Sequence, residues 1–256
     1  MPFWRTRGDT HPRFSCRISR FMYISQWLTE TIIKAAKSLE DARVAIYKFD
    51  EKVAECFEKS PIQEWEAEHW ARGVKHRLLK IEDYFFRAGA GKRAPQSLFV
   101  RNENGMNVGL RREAITQMAT YVSLITDFSF PRQQVRFESG WMDVVVFDPN
   151  NEVLIYAENK ALEKTLVKLC STLEKDFEER VPRIDLDNDL ITKRHDDPLM
   201  KANHIWRHRP VYFWGVAPTY RQAYKVNYRA SGFVLEERDA IPTIDQINWM
   251  PVAASF

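Results

Sequence analysis

An acid set in the middle of an apolar run is the feature that narrows the fold most. Residues 141–147 read WMDVVVF, rich in Val and aromatics and apolar on both faces, the pattern of a strand covered on both sides. Asp143 interrupts that run, and a buried carboxylate is costly unless it is paired or bound to a metal. Asp148-Pro149-Asn150-Asn151 then has turn chemistry, because Pro fixes φ and Asn tolerates the left-handed region. Residues 153–157 form a second apolar run that ends in Glu158-Asn159-Lys160, and residues 162–177 follow with helical spacing. Strand side chains alternate, so Glu158 and Lys160 share one face.

The register decides whether Asp143 joins them. If Asp148 pairs with Asn151 across a two-residue loop, Asp143 falls opposite Tyr156 and diagonal to Glu158. Diagonal neighbours lie roughly 7–8 Å apart at Cα, near enough for both carboxylates to reach one cation. A three-residue loop puts Asp143 on the other face and breaks the site. Two acids and a lysine in one patch suit metal-assisted phosphodiester hydrolysis. The carboxylates hold Mg²⁺, the ion polarises the phosphate and lowers the pKa of a bound water, and Lys160 orients that water or stabilises developing charge. The plainer alternative leaves all three as solvated residues on the outer face of an ordinary hairpin.

Asp143, then fourteen residues, then Glu158-Asn159-Lys160 resembles the D…(D/E)xK pattern of the PD-(D/E)xK, or restriction-endonuclease-like, nuclease superfamily. The resemblance covers roughly residues 105–220, with Met142 where the family name has Pro. It implies an α/β core, a mixed sheet flanked by helices in the order α-β-β-β-α-β. Residues 110–125, 133–138, 141–147, 153–160, 162–177 and 210–217 supply those elements in turn. It also implies a deoxyribonuclease with Mg²⁺ as cofactor and Mn²⁺ as substitute, Asp143 and Glu158 as ligands, and Lys160 placing the nucleophile. In that superfamily an acid from the first helix often completes the metal site, which makes Glu113 a candidate. A capping charge at the helix start explains Glu113 as well, and Glu138, ending the first strand, is the competing candidate. Lys164, Lys168, Arg111 and Arg112 are candidate phosphate contacts. The Gln-x-x-x-Tyr motif of the RecB-type subgroup is absent. The alternative within the same fold is a catalytically inactive module that binds nucleic acid or a protein partner.

The rest of the chain is expected to support this core. Residues 1–22 form a basic arm with interleaved aromatics, a lead-in, or a segment before a true start at Met22. Residues 23–104 read as a helical extension for DNA docking or homodimerisation, with Ser60 as N-cap of a helix running to Gly89. Residues 105–256 are the nuclease-like domain. Gly-Lys at 91–92 fails the Walker pattern, because Phe86 and Arg93 stand where Gly and Ser or Thr are required, and reads as a basic linker. Residues 185–189 read as an acidic loop. His204 and His208 have metal-sharing spacing on a helix but no evident third ligand. Tyr220, Tyr224 and Tyr228 make either stacking platforms or a packing stripe. Net charge is only +3, so any basic surface is local. Three distant cysteines point to reduced thiols and a cytoplasmic setting, and no stretch has the length of a membrane span.

Overall fold

Apolar residues spaced three and four apart make the first helices. The computed structural model describes residues 23–82, 84–88, 95–139, 142–176, 197–230 and 232–247. The basic arm, the linker at Lys92 and Arg93, and the acidic loop at 185–189 lie outside the described residues. Helix α1 (Ile24–Asp41) buries Leu28, Ile32, Ala36 and Leu39 along one stripe, and α2 (Phe49–Lys59) buries Phe49, Val53 and Phe57. Helix α3 (Glu64–Lys75) starts later than expected. Its cap is Gln63 rather than Ser60, in a reciprocal capping box with Glu66.

The expected continuation of α3 to Gly89 is replaced by strands. Arg77 turns left-handed at φ 55°, and Leu79–Glu82 (β1) pairs antiparallel with Phe85–Ala88 (β2). Ile81, Tyr84, Phe85 and Phe86 favour the pleated state over the helical one. Strand β3 (Gln96–Ser97) extends that sheet, and β4 (Phe99–Arg101) pairs with β5 (Asn107–Leu110).

Helix α4 (Arg112–Thr126) is buried on almost every side. It lies between α3 and a six-stranded sheet formed by β6 (Val135–Ser139), β7 (Met142–Phe147), β8 (Val153–Asn159), β9 (Tyr212–Val216), β10 (Arg221–Arg229) and β11 (Gly232–Arg238). The spatial order is β11-β10-β9-β8-β7-β6, antiparallel throughout except for the parallel pair of β8 with β9. That pair needs a crossover, supplied by α5 (Glu163–Asp176) and α6 (Asp197–His208). The fold is thus α/β, with six α-helices among the described residues and a mixed sheet covered on both faces.

Each face has its own core. On one, Val144, Val146, Ile155, Ala157 and Trp214 meet α4 and, beyond it, Leu28 and Trp70, so the helical extension packs into the same core as the sheet. On the other, Val145, Tyr156, Phe213 and Tyr224 meet Leu166 and Leu173 of α5 and Ala202 and Ile205 of α6. Tyr220 and Tyr228 pack around this second cluster, which makes the tyrosine series a packing stripe. Gly73 lets α3 and α4 close up, since a Cβ there would stand 2.7 Å from Leu79 and Val122 side-chain atoms. No helix among the described residues is long and apolar enough to cross a membrane.

The β7–β8 hairpin departs from the expected register in an instructive way. Asp148 N donates to Glu152 O, and Asn151 takes φ 66°, closing a three-residue loop instead of a two-residue one. That single step alone would have turned Asp143 to the wrong face. A β-bulge between Val146 and Phe147 adds a second step. Val145 now faces Tyr156 and Val144 faces Ala157, so Asp143 reaches the level of Glu158. Two one-residue shifts restore the parity, and both acids stand on the α5–α6 face.

A carboxylate pair as the candidate active site

Glu158 is 1% exposed near the end of the central strand β8. Three groups converge on its carboxylate. Lys160 Nζ lies 2.9 Å from Oε1, close enough for strong attraction although Oε1 receives no well-angled hydrogen bond. Lys201 Nζ, from α6, lies 2.9 Å from Oε2, and the Tyr156 hydroxyl donates to the same oxygen. Lys160 is held by its backbone, whose N–H donates to Val216 O on β9 at 2.9 Å.

Asp143 is partly buried on β7. Its Oδ2 accepts from Asn159 N at 2.7 Å and more weakly from Asn159 Nδ2. The Thr120 hydroxyl of α4 donates to Asn159 Oδ1 at 2.7 Å, so a core helix sets the residue that sets Asp143. Gln117 Nε2 donates to the Asp143 backbone oxygen. Burial pushes the Asp143 carboxyl well above its usual range, and the charges of Glu158 and Glu113 push the same way, while Lys201 and the Asn159 N–H oppose them. Burial alone would lower Lys201, but Glu158 and Asp143 outweigh it and hold that ammonium above its usual value.

The two candidates for a further acid are placed differently. The charge of Glu113, in the first turn of α4, acts on Asp143. Glu138 stands across from Asp143 in the β6–β7 ladder but has a left-handed backbone, φ 47°, and its carboxylate faces Arg111 Nη2 at 3.7 Å.

Among the expected phosphate contacts, Arg112 requires correction. It is 7% exposed, and its guanidinium is committed to the protein. Nη1 and Nη2 bind Glu66 Oε1 and Oε2 at 2.9 and 2.6 Å, and Nε donates to Ser60 O. Nη2 also reaches Pro61 O and Nη1 the Thr116 hydroxyl. Helix α4 needs a neutralised glutamate at its junction with α3, and Arg112 provides it. Lys164 and Lys168 are exposed on α5, where they line a groove of about 980 Å³ together with Lys59 and Ala161. Its lining includes Ala161, next to Lys160 in sequence, and none of Asp143, Glu158 and Lys160.

Two members of the site were not anticipated. Tyr156 shares the face of Glu158 by simple strand alternation. Lys201 arrives from an element far along the chain. Its one sequence signal is that it falls four residues before buried Ile205, on the apolar side of α6. His204 and His208 stack with ring centroids 6.1 Å apart. Burial, then Lys201 and His208, push His204 down to about 4.

The donor chemistry fits a hard divalent cation. Two carboxylates present oxygens, and buried Glu158 Oε1 lacks a well-angled hydrogen bond. Among the described residues no three His, Cys, Asp or Glu side chains gather closely enough to cage a metal. No protein-family model, no curated protein and no solved structure matches the chain.

Proposed function

We propose that this chain is a metal-dependent nuclease that hydrolyses phosphodiester bonds in DNA, built on a restriction-endonuclease-like core. The observation that carries the reading is the gathering of Asp143, Glu158 and Lys160 on one face, at the ends of adjacent strands. The order α4-β6-β7-β8-α5-β9, with α6 inserted before β9, agrees with that core. Of the elements such chemistry needs, the acid pair and the cation beside it support the reading, and the groove lined by Lys164 and Lys168 would serve as the substrate path.

Asp143 and Glu158 would hold Mg²⁺ or Mn²⁺, with Glu113 as the assisting acid favoured over Glu138 by its charge on Asp143. A bound divalent ion supplies phosphate polarisation and acidifies a water. The chain's own part is orientation. Asn159 and Thr120 fix Asp143, and the Val216 carbonyl fixes the backbone of Lys160, so its ammonium can orient a water or meet charge developing on phosphate. Lys164 and Lys168 on the groove wall would neutralise backbone phosphates, with Arg111 at the start of α4 as a further contact. Cys56 and Cys170 carry free thiols, which agrees with a reducing, cytoplasmic setting.

A second reading is favoured by one observation. Lys201 already neutralises Glu158, as a catalytically inactive module that binds nucleic acid or a protein would allow. Cleavage of supercoiled plasmid and of single-stranded DNA with Mg²⁺, Mn²⁺ or EDTA separates the two. The nuclease cuts only with metal, and Asp143→Ala and Lys160→Ala each lose roughly 10²-fold or more of that rate. No cutting by the wild type on either substrate overturns the proposal.

A further inference from the structure

Glu158 is almost completely enclosed, and an enclosed carboxylate without a counter-charge is strongly disfavoured. Lys160, on the strand end itself, faces one of its oxygens, while the other is matched from outside the sheet by Lys201 of α6, itself 8% exposed. Lys201 also acts on Asp143. One ammonium is therefore paired with Glu158 and also lowers the cost of charge on Asp143, the two carboxylates that a divalent ion would join.

We propose that Lys201 is the resident counter-ion of Glu158, so that a divalent metal held by Glu158 and Asp143 binds by displacing its ammonium. This rests on the metal-site reading above and adds a regulation to it. Without metal, Lys201 keeps the site neutral enough to fold. A lysine suits that role better than an arginine, because its charge is a single compact point on a flexible stem and can leave without breaking a bidentate clamp. Its helix is anchored independently, through Ala202 and Ile205 in the second core. Withdrawal of the side chain therefore leaves α6 docked. Lys160 keeps its place on Oε1 throughout, and the two lysines divide the work: one stays to orient a water, the other yields its position.

The test is Mn²⁺ binding by the full chain without nucleic acid, measured by isothermal calorimetry for wild type, Lys201→Met and Glu158→Gln. The expected result is weak binding by wild type, binding at least tenfold tighter by Lys201→Met, and a loss of binding in Glu158→Gln. Thermal unfolding adds a second readout. Lys201→Met melts lower than wild type without metal and gains more from saturating Mn²⁺. Should that variant fail to fold, Lys201→Gln, which keeps a donor for Glu158, carries the same comparison. Equal Mn²⁺ affinity in wild type and the Lys201 variant overturns the counter-ion role while leaving the metal site standing. No Mn²⁺ uptake by any variant overturns the metal site itself, and this inference with it.

Discussion

Glu66 on α3 and Glu158 on β8 are 0% and 1% exposed; the first faces Arg112 of α4, the second Lys160 at the end of its own strand and Lys201 of α6. Around Glu66 the balance is closed. One guanidinium meets both carboxylate oxygens, the Thr116 hydroxyl adds a third bond at 2.7 Å, and the remaining guanidinium donors end on Ser60 O and Pro61 O. Around Glu158 it is not closed. Two lysines from different elements face the carboxylate, one oxygen lacks a well-angled hydrogen bond, and a second acid is held against its own charge by burial. Planar bidentate pairing with Arg fixes a structure, whereas point charges on flexible stems leave an exchangeable position. The first network reads as a structural clamp between α3 and α4, the second as a site kept ready for a ligand.

Arg112→Met breaks this comparison at its rigid end. It leaves Glu66 buried without a cation, and removing one partner of such a pair costs about 3–5 kcal/mol. Urea unfolding followed by tryptophan fluorescence measures it. The double variant Arg112→Met/Glu66→Met recovers most of the loss, because similar-sized apolar residues fill the same space without charge. A cost below about 1 kcal/mol in the single variant would remove the clamp from this account. Lys201→Met costs less than Arg112→Met in the same assay, since Lys160 still faces Glu158.

Asp143→Asn sharpens the other end. With its carboxyl pushed above the usual range by burial and by Glu158, the charged form disfavours folding at neutral pH. Stability from this group is full below the ordinary carboxylate pKa and is lost as pH rises through the raised value. The amide removes that penalty and keeps an oxygen to accept from Asn159 N. We expect Asp143→Asn to melt higher than wild type at pH 7 by roughly 2–4 °C, the shift produced by about 1 kcal/mol in a domain of this size. Saturating Mn²⁺ reverses the order, because a ligand stabilises only the protein that binds it. A variant that melts lower at pH 7 without metal contradicts the strained-acid description.

How much of this was legible depended on the distance over which the signal acts. Alternation and turn residues delivered β7, β8 and the shared face of Glu158 and Lys160, because those are local properties of a strand. The sequence leaves the loop open between two and three residues, since Asn150 and Asn151 both tolerate turn conformations and nothing local says that only Asn151 goes left-handed. The bulge that compensates leaves Leu154 of β8 without a partner on β7, between the pairs Val146–Ile155 and Phe147–Val153, and no single-strand pattern contains it. Arg112 looked like a surface cation because its partner, Glu66, lies in another helix. Lys201 was invisible for the same reason. The residues from Leu79 to Ala88 kept enough apolar spacing to pass for a helix end, and the left-handed turn at Arg77 is what divides them from α3.

His204 gives the smallest effect and the finest discrimination between the two networks. It lies on α6 beside Lys201, and burial together with the charges of Lys201, His208 and Arg207 pushes it down to about 4, against the pull of Glu158. In the unfolded chain the imidazole titrates at its ordinary value near 6.5. Below that pH the unfolded state takes up a proton that the folded state refuses, so stability falls as pH drops from about 6.5 towards about 4 and is unaffected above. With this ring half in solvent the loss is expected to stay under about 1 kcal/mol. Asp143 has the opposite slope over the acid range, so the measurement belongs in the Asp143→Asn background. There His204→Gln should lessen the fall in melting temperature between pH 6.5 and 4.5, with His208, also held down by burial and by Arg207, keeping a slope of the same sign, while leaving it unchanged at pH 8. An identical acid slope with and without the imidazole would mean that burial and the neighbouring cations do not hold His204 below its ordinary value.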